Sequence, residues 1–248
     1  MLAEERSAKI VDIIKDKGSV KVDDLAKQLD VSLMTIRRDL EKLQNEGIIE
    51  RCHGGAILKS EVSYKEKRTL QIEDKIKIAQ RCANMVKKGS TVFLDAGTTT
   101  YEIAKLICNI PSIAIITNDI EIATFLLDTN VRLILCGGLV QKSTGSMVGD
   151  FAIQMMENIR TEIAFIGAAS IDDEFNVLTP TSNKAVFKRT VCRYTNRSYL
   201  AVDSSKFGRQ ALLKVNHLSD YSGVVTNKIF SNKEKELIKR QNINIIPI

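Results

Sequence analysis

Two groups of side chains in this 248-residue sequence could do chemistry, and neither is a conventional catalytic set. The first spans residues 32–38, where Ser32, Met34, Thr35, Arg37 and Arg38 stand ahead of the first acid, Asp39. These side chains suit a nucleic acid. Arginine can grip a phosphate or a guanine edge bidentately, hydroxyls bond phosphate, and methionine can touch a thymine methyl. A helix beginning at Ser32 would add partial positive charge where a phosphate lies. Arg51, His53 and Gly54 make a smaller cluster further on, with Gly55 beside them to let the backbone approach a groove.

The second group sits where apolar runs end. Asp95 leads into Gly97, Thr98 and Thr99, whose backbone N–H groups and hydroxyls would converge on an anion. Asn118 closes a second run, Gly137 and Gly138 a third, and Asp203 a fourth, with Lys206 just behind it. Lys206 could neutralise a phosphate, while Asn118 and Asp203 suit sugar hydroxyls. Each has a bland reading taken singly, since a Gly-Thr-Thr turn also caps helices and a lone lysine is commonly solvated. Several at one sheet edge favour an anionic polyol. None matches the Walker phosphate loop or the spaced glycines of a dinucleotide fold.

Metal and redox chemistry are poorly supplied. His53 and His217 are the only histidines, and the five cysteines lie at least 26 residues apart with no Cys-x-x-Cys pair. That pattern gives neither a disulfide framework nor a zinc site, and reads as core filler in a reducing compartment. No catalytic residue, metal or cofactor is expected.

The elements that must position these groups fall into two units. Residues 1–58 read as an amphipathic helix over 4–17, an extended piece over 20–22, a short helix over 23–29, a tight turn, and a helix over 32–46. Two short strands joined through His53-Gly54-Gly55 follow. Two helices meeting at a tight turn are the helix-turn-helix arrangement, with the second helix as reader. Residues 59–73 are polar and weakly periodic, and suit a linker. From residue 74 to 248, apolar runs at 91–95, 113–117, 131–136, 163–167, 198–203, 223–226 and 243–246 alternate with helical patterns. This predicts an α/β domain with a mostly parallel sheet, able to serve effector sensing and oligomerisation.

Net charge is +6, but residues 1–60 carry equal numbers of basic and acidic side chains, so bulk charge does not decide for a nucleic acid. No apolar run approaches the ~20 residues of a membrane span, and the start lacks the basic-then-apolar order of a secretory signal. A cytoplasmic protein without a membrane partner is expected.

The segments Val31-Ser32-Leu33-Met34-Thr35-Ile36-Arg37-Arg38-Asp39-Leu40 and Arg51-Cys52-His53-Gly54-Gly55-Ala56 resemble the winged-helix signature of DeoR-type bacterial transcription regulators. The similarity runs through almost the whole chain. The resemblance implies a sensor domain similar in fold to ribose-5-phosphate isomerase and glucosamine-6-phosphate deaminase, which binds phosphorylated sugars. It places Asp95, Gly97, Thr98, Thr99, Gly137, Gly138 and Lys206 on the effector-pocket pattern. Two departures stand out: Ala169-Ser170 where the family usually has Asp-Gly, and Lys184, ahead of Ala185 and Lys188, where it usually has Glu. They suggest a more acidic ligand, or a pocket that no longer responds to a sugar phosphate.

The combined expectation is a homo-oligomeric repressor of sugar-metabolism genes whose binding to a double-stranded DNA operator is modulated by a phosphorylated sugar. The competing readings are an isomerase or deaminase with an added DNA-binding module, and a regulator with a non-binding pocket. Isomerisation needs a carboxylate base beside the substrate carbon. The related isomerases carry acids after the strand at 163–167, where this chain has Ala168-Ala169-Ser170.

Overall fold

The computed structural model describes residues 2–45, 49–52, 54–58 and 64–248. The first part holds helices α1 (Ala3–Lys17), α2 (Val22–Leu29) and α3 (Leu33–Asn45), with strands β1 (Ser19–Lys21), β2 (Ile49–Cys52) and β3 (Gly55–Leu58). Ile10 and Ile14 of α1, Leu25 of α2, and Ile36, Leu40 and Leu43 of α3 recur at helical spacing and share one buried core. Asp30 ends α2 in the left-handed conformation at φ 51°, its N–H donating to the Ala26 carbonyl. That reversal turns the chain into α3. The three strands form an antiparallel sheet in the order β1-β3-β2. The result is a helix-turn-helix with a three-stranded wing.

Of the expected linker, residues 59–63 lie outside the described residues, and the remainder is largely helical. It forms α4 (Tyr64–Thr69) and the start of α5 (Ile72–Ala83). Tyr64 is buried and its N–H donates to the Ser143 carbonyl at 3.0 Å. Arg68 lies over the Tyr101 ring at 4.8 Å. Lys75 caps the end of α4, its Nζ donating to the carbonyls of Lys67 and Leu70. These anchors are two tyrosines and a few backbone groups, which hydrophobic periodicity does not register.

Beyond α5 the chain runs through β4 (Thr91–Leu94), α6 (Thr98–Ile107), β5 (Ala114–Thr117), α7 (Ile120–Leu126) and β6 (Arg132–Leu135). Next come β7 (Leu139–Gln141), β8 (Ser146–Val148), α8 (Asp150–Glu157), β9 (Thr161–Ile166), β10 (Ser170–Ile171), β11 (Asn176–Thr179) and α9 (Ser182–Arg193). The last stretch holds β12 (Thr195–Ala201), β13 (Leu213–His217), β14 (Gly223–Thr226), α10 (Asn232–Arg240) and β15 (Ile245–Pro247).

A seven-stranded sheet in the order β15-β14-β12-β9-β4-β5-β6 is parallel throughout. Its strands are the seven apolar runs of the sequence. Val92 and Leu94 turn to a core shared with α5, α6 and α7, whereas Phe93 between them packs with Ala152 and Met156 of α8 and Phe187 of α9. Both faces are therefore covered, which is why these strands read as continuous apolar runs.

Two smaller sheets were not expected. β7 and β8 form an antiparallel hairpin ahead of α8. β10, β11 and β13 form a second antiparallel sheet. These strands are short and mix polar with apolar residues, as in Leu213-Lys214-Val215-Asn216-His217, and they lack the signature of strands buried on both faces.

Candidate nucleic-acid interface and effector pocket

The reading helix begins with a cap. The Ser32 hydroxyl accepts from the Thr35 N–H at 3.1 Å and lies 2.9 Å from the Thr35 hydroxyl. Beyond it, Ser32, Arg37 and Arg38 are exposed, and Met34 is 60% exposed, high for so apolar a side chain. Asp39 is not part of this face. It is buried against α1, where the Arg6 guanidinium meets both its oxygens, Nε at 2.5 Å and Nη2 at 3.1 Å. The first turn of α3 carries no acid, so its leading face is basic.

The wing lies beside this helix. Arg51 is exposed, and its Nη1 reaches the Arg37 carbonyl at 3.5 Å. Gly54 is exposed at the tip with φ 76°, while a Cβ on Gly55 would stand 2.0 Å from the Val20 carbonyl oxygen. Both glycines are required by the wing itself. His53 lies outside the described residues.

The second site opens where the strand order reverses. From β4 the sheet grows one way through β5 and β6 and the other way through β9 and β12. Ligands in parallel sheets bind beyond the carboxyl ends of strands at such a switch point. Here the loop after β4 (Asp95, Ala96, Gly97) faces the loop after β9 (Gly167, Ala168, Ala169) across one cleft. The cleft encloses about 710 Å³, its open mouth included.

Polar groups fix its floor. Asp95, 1% exposed, accepts from the Gly167 N–H at 2.9 Å and from the Lys188 ammonium, which also donates to the Gly167 carbonyl at 2.8 Å. Asn118 accepts from the Ala96 N–H at 3.0 Å and donates to the Met147 carbonyl at 3.0 Å, tying β5 to both neighbouring loops. Asp119 caps α7 and also accepts from the Gly97 N–H at 2.9 Å. Burial pushes its carboxyl up to about 7, against the pull of three backbone N–H groups. The Thr100 hydroxyl donates to the Asp95 and Gly97 carbonyls at 2.6 and 2.8 Å. The loop that carries Gly97, Thr98 and Thr99 into α6 is therefore held from below. That helix has no side-chain cap and no acid in its first turn.

Five lysines line the cleft (Lys67, Lys75, Lys184, Lys188 and Lys206), and Asp95 is the single carboxylate among the lining residues. Burial holds the Lys75 amine below its usual value, while nearby Asp203 pulls it back up. Lys184, in the first turn of α9, donates to the Thr144 hydroxyl at 3.2 Å. Asp95, Gly97, Thr98, Thr99, Asn118, Lys184 and Lys206 thus meet in one place, as the sequence suggests.

Three of the residues singled out from the sequence are not among the lining residues. Asp203 is buried and accepts from the Ser205 N–H at 3.0 Å, shaping the turn that carries Lys206. Gly138 packs on β8, where a Cβ would stand 2.5 Å from the Val148 carbonyl oxygen, and Gly137 faces open space. Conversely, Lys67, Lys75 and Lys188 line the cleft without having been singled out as site residues from the sequence. A lysine on a helix reads as solvated, and only the fold brings these three to one cleft.

An arginine-tipped helix-turn-helix with a wing, joined to a parallel-sheet domain with a lysine-lined cleft, defines a DNA-binding regulator with a sensing domain. Comparison with known proteins is concordant. Residues 6–62 match the DeoR-like helix-turn-helix domain and residues 70–228 the DeoR C terminal sensor domain. An uncharacterized HTH-type transcriptional regulator of Haemophilus influenzae is 32% identical over 99% of this chain and 97% of its own length. The glycerol-3-phosphate regulon repressor of Escherichia coli is 31% identical over 90% of each chain. The lactose phosphotransferase system repressor of Staphylococcus aureus is 32% identical over 95% of this chain and 96% of its own. The chain belongs to the DeoR family of transcription regulators. Among solved structures, ribose 5-phosphate isomerase A of Methanocaldococcus jannaschii is a distant likeness, 17% identical, with a TM-score of 0.40 over 54% of this chain and 53% of that one.

Proposed function

We propose that this protein is a cytoplasmic, homo-oligomeric repressor of sugar-metabolism genes, and that a phosphorylated sugar in the lysine-lined cleft modulates its hold on operator DNA. Residues 1–58 form the DNA-binding unit and residues 74–248 the sensing and oligomerisation unit. Ser32, Met34, Thr35, Arg37 and Arg38 read the major groove, and Arg51, His53 and Gly54 of the wing approach the flanking backbone. The observation that carries the sensing half is the charge of the cleft, five lysines to one carboxylate at the switch point of a parallel sheet.

Two physical connections support coupling between cleft and operator. Lys67 lines the cleft from α4, which stands next along the chain after the wing and the undescribed residues 59–63. Lys206 lines it from the other side, and Gln210 shortly after touches the end of α1, where a Cβ on Gly18 would stand 3.0 Å from the Gln210 carbonyl oxygen. An effector that moves either segment can bias the DNA-binding unit, in proportion to its different affinities for the two states.

Enzymatic turnover is disfavoured by the same geometry. The one lining carboxylate, Asp95, is held by Lys188 and the Gly167 N–H, so it is poorly placed as a general base. The test is operator titration with and without a panel of phosphorylated sugars, alongside an isomerase assay on the same preparation. A shift in operator affinity without turnover is the expected result. Turnover, or operator binding indifferent to every phosphorylated compound, would refute it.

A further inference from the structure

We propose that Lys75 is the switch contact between the cleft and the DNA-binding unit: an anion in the cleft draws its ammonium off the end of α4 and frees that helix to move. This rests on the reading of the cleft as the effector site. Lys75 stands in two places at once. It lines the cleft from the first turns of α5, 3% exposed. Its Nζ also donates to the Lys67 and Leu70 carbonyls, at the carboxyl end of α4. A cation that a cleft ligand can reach is therefore also a clasp on the segment that follows the wing.

The joint under this clasp is built to turn. Only Leu70 and Gln71 separate α4 from α5. Gln71 is left-handed at φ 52°, a conformation that a side chain makes costly. Leu70 is 59% exposed and adds little packing. The carbonyls that hold Lys75 are neutral acceptors, whereas a phosphate oxygen is an anionic one, and hydrogen bonds to ionised acceptors are about twice as strong. Asp203 and Glu102 favour the charged amine from nearby, but Glu102 is itself paired with Lys105. A phosphate entering the cleft thus competes for Lys75 with two carbonyls. Lys188 differs, since its ammonium is bonded to the Asp95 carboxylate and ties the loops after β4 and β9, with no bond to α4 among the described residues.

Two measurements on the full chain test this, with ribose phosphate, glucose phosphate, fructose phosphate and inorganic phosphate as probes. The first is hydrogen exchange of wild type. A probe that shifts operator affinity should also speed amide exchange over residues 64–75 by about two- to tenfold, the worth of one or two hydrogen bonds. The second is operator titration of Lys75→Met. Without the clasp, this variant should bind bare operator as wild type does with saturating probe, and adding probe should change its affinity less than about twofold. A lysine that serves only as a ligand contact would give the opposite: wild-type affinity for bare operator and a blunted response to probe. That result, or exchange over 64–75 that an active probe leaves unchanged or slows, would overturn the proposal and leave the cleft as the effector site. A wild type whose operator affinity no probe shifts would overturn both. The exchange measurement decides the matter even if Lys75→Met fails to fold.

Discussion

Individual side chains carry the recognition claims. Arg37 and Arg38 are the exposed cations of the leading face of α3, because Asp39 is turned inward onto Arg6. Arg37→Ala and Arg38→Ala should each weaken operator binding by ~1–3 kcal/mol. If one of them touches phosphate, its loss should lower the salt slope by about 1 and leave sequence preference intact. Titrations at several salt concentrations check this, and unchanged affinity in both variants would remove α3 from the interface. Asp119 has a different consequence. Its folded carboxyl is raised to about 7, above the ordinary aspartate value, so the folded chain keeps a proton that the unfolded chain has released. The contribution of Asp119 to stability should therefore fall as pH rises from about 4 towards 7. Urea melts of wild type and Asp119→Asn across that window should show wild type losing stability relative to the variant as pH rises. A constant difference would mean that the group titrates elsewhere.

At the scale of elements, the two wing glycines should behave unequally. Gly54 has a left-handed backbone but open space around it, so Gly54→Ala should cost about 1–2 kcal/mol. Gly55→Ala should cost more, since its methyl would collide with the Val20 backbone and force β1 from β3. Calorimetry of the full chain orders the two, and a benign Gly55→Ala would show that the wing pairs otherwise. The elements also divide by how legible they are in sequence. The inner strands of the large sheet announce themselves because they are covered on both faces, the edge strands β6 and β15 by their apolar composition alone, and α3 because Ile36, Leu40 and Leu43 keep helical spacing. The hairpin β7–β8 and the sheet of β10, β11 and β13 do not, since two to five residues of mixed polarity leave no period to read. The cleft was half legible. Its strand-end residues Asp95, Gly97 and Asn118 follow from the rule that parallel sheets bind at strand ends, but Lys67, Lys75 and Lys188 come from helices distant in sequence. Asp39, counted as the acid that closes the basic face, proved to be an internal tie whose partner lies 33 residues away.

Across the whole molecule, the cleft and the reading helix belong to one chain but different units, joined through α4 and through the segment that runs from Lys206 to Gln210. If these units are coupled, substitutions in each should separate cleanly. Arg38→Ala should weaken operator binding while leaving effector affinity in the absence of DNA unchanged, and Lys206→Ala should do the reverse. The most direct measurement is fluorescence anisotropy of a labelled operator duplex, selected from random sequence with the full chain. It is titrated with wild type and Lys206→Ala, each with and without a saturating phosphorylated sugar. Wild type should change its operator affinity by about fivefold or more on adding effector, the usual scale of allosteric coupling. Lys206→Ala should bind the bare operator as wild type does and lose that change. An effector response that survives intact in Lys206→Ala, or a wild type that binds effector without any change at the operator, would contradict the coupling of the lysine-lined cleft to DNA.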